Sequence, residues 1–178
     1  MVRVLIKILP TQEVINRVAN NQLDLGIVYA PADDPALLSE ELYAAEIMCA
    51  FPAGHPLESK GTIFPEDLVG HDLISISRNS PFGMAIEKAF EERGVARENV
   101  IEVSHSFVAL SLVENGAGIG VVDPFVTMRR LFPNLVFCAF RPRVAINPRV
   151  VYARRKPLSR LQTSFIEHLK LVEFDVPY

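Results

Sequence analysis

Three stretches of this sequence place polar side chains where an apolar run gives way to a helix or a turn. They are Asn79-Ser80-Pro81-Phe82-Gly83, Ser104-His105-Ser106-Phe107, and Asp123 at the end of the run Ile119–Asp123. N–H groups at a helix start suit a carboxylate. A carboxylate at a strand end suits an ammonium or guanidinium group. The chemistry on offer is therefore non-covalent recognition of a small ionic molecule, with Asn79, Ser80, Phe82, Ser106, Phe107 and Asp123 as candidate contacts. Each also has a plainer reading. Ser80 and Ser106 are suitable helix caps, Pro81 suits a first helical turn, Phe82 suits a core, and Asp123 before Pro124 suits a turn. Nearer the start, Thr11 and Gln12 follow one apolar run and Tyr29 ends the next, which makes them contacts from a second region. Thr11 is equally a helix cap and Tyr29 equally a core residue.

Nothing stronger than recognition assembles from these residues. Ser80, His105 and Asp123 are loose polar groups of the kind found in any pocket, with no nucleophile, base and orienting acid in one motif, so no enzyme is expected. Gly116-Ala117-Gly118-Ile119-Gly120 resembles a nucleotide loop in spacing but not in order. A phosphate loop runs strand, glycines, helix; here a helix precedes and a strand follows. The histidines, His55, His71, His105 and His168, lack metal-ligand spacing, so neither a metal nor a cofactor is expected. Cys49 and Cys138 sit far apart in apolar segments, which fits two buried thiols in a reducing compartment rather than a disulfide framework. A formal net charge of -3 argues against this chain itself gripping nucleic acid. No apolar run reaches the roughly 18–20 residues that cross a bilayer, and no export signal is visible, so a cytoplasmic location without membrane contact is expected.

The elements that must position these residues follow from hydrophobic periodicity. With 49% of its 178 residues hydrophobic, the chain can bury the core of one domain or two small lobes. Alternation predicts a strand over Val2–Ile8; Val14, Ile15, Val18 and Ala19 predict a helix after it; Leu23–Tyr29 predicts a second strand. Strand, helix, strand implies a parallel pair. Glu46–Phe51 is another strand, stopped by Pro52-Ala53-Gly54-His55-Pro56. The pattern then restarts. Asp72–Ser77, Asn99–Val103 and Ile119–Asp123 predict strands, separated by helices that end near Gly94 and Gly116, and this βαβαβ run predicts a second parallel sheet. Strands over Leu135–Phe140 and Arg149–Ala153 follow, then a helix to Leu171 with Leu161, Phe165 and Leu169 four apart.

Too little chain remains at the end to form a lobe alone. Residues 1–51 with 146–178 are expected to form lobe I and residues 52–145 lobe II. Two crossing segments, near 47–54 and 137–147, then run side by side as a hinge and bring Cys49 close to Cys138. The fold class is α/β, and a cleft between two such lobes is a natural small-molecule site.

Several segments resemble one family in the same order. Asn21-Gln22-Leu23-Asp24-Leu25-Gly26-Ile27, Phe51-Pro52-Ala53-Gly54-His55-Pro56-Leu57, Leu112-Val113-Glu114-Asn115-Gly116-Ala117-Gly118-Ile119 and Pro157-Leu158-Ser159 resemble segments of LysR-type transcriptional regulators. The resemblance implies a two-lobed, periplasmic-binding-protein-like (type 2) effector-binding domain with two crossing hinge strands. It implies a small-molecule effector, amino-acid-derived or carboxylate, and no cofactor. DNA would be bound only through a winged helix-turn-helix outside this chain, and the first strand and helix of the effector domain would also lie outside it. Homodimers or homotetramers are implied. Val121-Val122-Asp123-Pro124-Phe125 departs from the usual Leu-Pro ending and resembles the branch that includes regulators of opine catabolism and lysine synthesis. A solute-binding protein of a transporter is the alternative on the same architecture.

Overall fold

A computed structural model describes residues 3–29, 34–123 and 131–171. The chain runs α1 (Thr11–Ala19), β1 (Gly26–Val28), β2 (Leu37–Glu41), β3 (Ala45–Glu46), β4 (Met48–Pro52), β5 (Thr62–Ile63) and β6 (Leu73–Ile76). It continues with α2 (Pro81–Glu91), β7 (Asn99–Val103), α3 (Ser106–Glu114), β8 (Ile119–Val122), β9 (Leu135–Phe140), β10 (Ala145–Ile146), β11 (Arg149–Ala153) and α4 (Arg160–Lys170). Two compact units result: one from the described residues of Met1–Ala44 and Asn147–Val172, the other built on Ala45–Ile146. Among the described residues no helix is long and apolar enough to cross a membrane.

The first unit is a three-stranded sheet in the order β1-β11-β2, antiparallel throughout. Val14, Ile15 and Val18 recur at helical spacing, so α1 lays one apolar face on Val28, Leu37 and Val151. The parallel strand pair predicted here does not form. Residues 3–8 are not in a strand and are exposed, with Ile6 at 83%. Alternation makes a segment suitable for a sheet, but a strand exists only when a neighbour takes its N–H and C=O groups. No described strand lies against this segment. Pro10, not Thr11, occupies the cap position of α1, and Thr11 is the first helical residue. The last helix also packs differently from the 161-165-169 ladder. Ile166 is its one buried residue, with Leu158 and Leu169 beside it, while Leu161 and Phe165 stay exposed.

The second unit holds a six-stranded sheet in the order β5-β9-β4-β8-β6-β7. β6 pairs in parallel with β7 on one side and β8 on the other, as the βαβαβ pattern predicts. β4 runs antiparallel to both β8 and β9. Its register sets Cys49 opposite Cys138, so the two cysteines are neighbours, buried and unbridged. The chain passes between the units at Ala44–Ala45 and Ile146–Asn147, and at those passages β3 and β10 pair antiparallel. Glu46, buried on β3, takes Arg141 Nη1 at 3.0 Å and Arg143 Nε at 2.8 Å. One carboxylate thus ties both passages together.

The glycines that precede β8 stop one element and start the next. Gly116 has φ +78, which closes α3, and Gly118 has φ +142. Ile119 N–H then donates to the Asp72 carbonyl at 2.8 Å, which seats β8 beside β6. A Cβ on Gly118 would collide with that carbonyl. Gly118→Ala is expected to cost the second unit about 3 kcal/mol from backbone strain and the collision. Urea unfolding followed by circular dichroism measures this; an unchanged midpoint would show that β8 can shift without penalty.

Candidate functional site

The parallel strands β6, β7 and β8 end on one edge of the second unit's sheet, and in open α/β sheets ligands bind outside such carboxyl ends. Two helix starts and one strand end meet there. After β6 the chain makes a tight turn. Ser80 N–H donates to the Ser77 carbonyl at 3.0 Å and Ser80 Oγ donates to it at 2.8 Å. Ser80 Oγ accepts from Gly83 N–H at 2.9 Å, so Ser80 is the N-cap of α2 with Pro81 behind it. Gly83 must be glycine, because a Cβ there would meet the Ser77 carbonyl. Asn79 is exposed at the tip of this turn, while Phe82 is partly buried and packs against the main core cluster.

After β7 the chain turns at His105, which caps α3 without a side-chain hydrogen bond. Ser106 is the first helical residue and is buried, so of its two readings the helix cap does not hold. Its hydroxyl donates instead to Asp123 Oδ2 and accepts from Asp123 N–H at 3.4 Å. The carboxylate follows β8, two strands away from β7 across β6. Asp123 follows β8 with only 9% of its surface exposed. Phe107 is 53% exposed and its ring lies 5.4 Å from that of Phe132. The backbone N–H groups of Ser106 and Phe107 have no acceptor among the described residues. Pro124 and Phe125, which set the Asp-Pro ending apart, lie outside the described residues.

The structure thus brings Ser106 and Asp123 into contact and places Asn79, Ser80 and Phe82 on the neighbouring turn of the same sheet edge. Thr11, Gln12 and Tyr29 belong to the first unit. There, Thr11 is half-buried, Gln12 Nε2 donates to Asn16 Oδ1 at 3.1 Å on the exposed face of α1, and Tyr29 follows β1, partly exposed. Among the described residues no cluster of three or more His, Cys, Asp or Glu side chains could hold a metal.

One residue at this edge escapes any motif. Arg97, between α2 and β7, is 3% exposed. Its Nη1 donates to the Gly83 carbonyl at 2.9 Å and its Nη2 to the Ile76 carbonyl at 2.5 Å. Burial pulls its pKa below the usual arginine value, and Glu87, 3.4 Å from Nη1, pulls it back up. In sequence it is a single cation in the polar stretch Ala96-Arg97-Glu98-Asn99, where solvated charge is the ordinary expectation.

Residues 1–172 match the family model described as LysR substrate binding domain. "Regulatory protein NocR" of Agrobacterium tumefaciens is 32% identical over 164 residues, covering 92% of this chain and 55% of that protein. "Octopine catabolism/uptake operon regulatory protein OccR" of Rhizobium meliloti is 34% identical over 116 residues, or 65% of this chain and 38% of that protein. The cofactor-binding domain of the Cbl transcriptional regulator superposes with a TM-score of 0.76 at 22% identity, covering 89% of this chain and 70% of that one. The chain spans about half the length of NocR.

Removing the Ser106 hydroxyl takes one donor from a buried carboxylate, whereas removing the Ser80 hydroxyl costs a half-exposed helix cap. Ser106→Ala is expected to destabilise the second unit by about 1–3 kcal/mol, and Ser80→Ala by about 1 kcal/mol. Paired urea titrations test the order; equal or inverted losses would mean that the Ser106–Asp123 contact contributes little.

Proposed function

The chain belongs to the LysR substrate-binding domain family, and from that premise we propose that it senses a small amino-acid-derived carboxylate, an opine or a cationic amino acid, on behalf of a transcriptional regulator. Its fold is the α/β, periplasmic-binding-protein-like (type 2) fold of those effector-binding domains. The observation that carries the ligand class is the buried Ser106–Asp123 pair beside the start of α3. Asp123 supplies negative charge for an ammonium or guanidinium group. The N–H groups of Ser106 and Phe107 supply positive potential for a carboxylate. A ligand with both charges a few bonds apart fits the pair, and octopine, named in the OccR relative, has that character. Asn79 and Ser80 would add polar contacts, and Phe82 and Phe107 aliphatic ones.

The occupied molecule would favour one of two conformations of the whole regulator, by its difference in affinity for the two. DNA would be contacted by a part of the protein outside this chain, two copies would associate, and the protein would act in the cytoplasm. NocR and OccR are both named as regulators, which favours this reading over a transporter's solute-binding protein.

The test is a thermal-shift titration with octopine, L-arginine and L-lysine. A ligand that binds only the folded state adds about 2.7 kcal/mol of stability at a hundredfold excess over its Kd, so one of the three is expected to raise the midpoint. Asp123→Asn is expected to weaken that ligand at least about tenfold, as losing a charge-assisted bond would. An unchanged affinity would remove Asp123 from the site. No shift with any of the three, against a cooperative melt, would overturn the ligand class.

A further inference from the structure

We propose that Arg97 is the positioning residue of the effector site: its guanidinium fixes the turn between β6 and α2, and so decides which groups that turn presents to a ligand. This rests on the reading of that turn as part of the effector site.

The argument starts from where the two accepting carbonyls stand. Ile76 is the last residue of β6 and Gly83 lies in the first turn of α2. They bracket residues 77–82, the segment that contains Asn79, Ser80 and Phe82. A single planar group spans both ends, with Nη2 on Ile76 O and Nη1 on Gly83 O. From inside the turn Arg78 reaches back and donates to the Arg97 carbonyl. Arg78 Nε also stands 3.4 Å from Glu87 and 3.5 Å from Glu102. The turn and the segment ahead of β7 are thus laced in both directions.

Stability alone does not explain this arrangement. A guanidinium with no exposed side-chain surface carries a desolvation cost that a well-packed apolar residue of similar volume would avoid. What an apolar residue cannot do is hold two carbonyls at a set separation. Arginine's rigid fork does, whereas the donors of lysine radiate from one freely rotating nitrogen and set no such separation. The Ser77 carbonyl, the Ser80 hydroxyl and Gly83 already fold the turn tightly, and Arg97 fixes its two ends.

Arg97→Met, which keeps the volume, and Arg97→Lys, which keeps the charge, separate these roles. Amide hydrogen exchange of the free protein is read at Ser80, Gly83 and Met84 and compared with amides in α3 and β8. In the lysine variant the turn amides are expected to exchange about tenfold faster or more while those of α3 and β8 keep their protection. The methionine variant is expected to go further in the same direction. With octopine as the probe, Kd is expected to rise in step with the local loosening. Uniform loss of protection across the unit in the lysine variant would make Arg97 a general structural residue and overturn the inference. So would unchanged turn exchange, or a loosened turn with an unchanged octopine Kd. If wild type binds neither octopine, L-arginine nor L-lysine, the proposed function fails on that result, and turn exchange by itself still decides whether Arg97 fixes the turn.

Discussion

The six-stranded sheet of the second unit depends on β4, the one of its described strands that runs against its neighbours. It lies between β8 and β9 and is buried on both faces. Cys49 and Phe51 point into one core cluster, and Met48 and Ala50 into the other. A strand covered on both sides has no solvent face to relax toward, so a slip of one residue would exchange its two sets of side chains between cores of different shape. The register of β4 therefore constrains that of β8, and β8 in turn places Asp123. The small residues beside it follow from this. Gly120 stands opposite Ala50, and Val113 of α3 packs over both, so a larger residue at either place would lift α3 from the sheet.

With β8 fixed, the site follows from parallel topology. Parallel strands end on one edge, and the helices that connect them begin on that edge. Ser106 and Asp123, seventeen residues apart, meet because α3 starts where β7 ends and β8 ends two strands away, across β6. The contact arises from the order of the strands rather than from any local motif.

What was legible in the sequence divides along the same line. The parallel trio, the glycine stops at Gly94 and Gly116, the Ser80 cap and the pairing of Cys49 with Cys138 were readable, since each rests on local pattern or on the count of strands needed to close a lobe. The strand at Val2–Ile8 was not: its alternation was correct, but pairing is a property of two segments, and its described part has no partner. Thr11 and Ser106 are suitable caps by residue type but do not act as caps, because capping preference ignores what lies beside the helix start. Asp123 competes for the Ser106 hydroxyl, and Pro10 takes the place in front of Thr11. Arg97 carries no such signal, because no periodicity marks a cation whose partners include two backbone carbonyls and a carboxylate on other elements.

The distribution of buried polarity gives that division a physical meaning. Among the described residues, the buried polar or charged side chains are Glu46, Ser75, Arg97, Ser106 and Asp123, all in the second unit. Four of them stand at joints: Glu46 where the chain passes between units, Arg97 at the turn after β6, and Ser106 with Asp123 where α3 and β8 meet the sheet edge. The first unit's ion pairs among the described residues, Arg17–Glu13, Arg149–Glu41, Lys156–Asp24 and Lys170–Glu40, are solvent-facing and contribute little to stability. Burying a charge is costly unless every partner is in place, so these four groups tolerate few alternative geometries. Apolar packing gives the second unit its stability, and the buried polar groups select one arrangement at the joints.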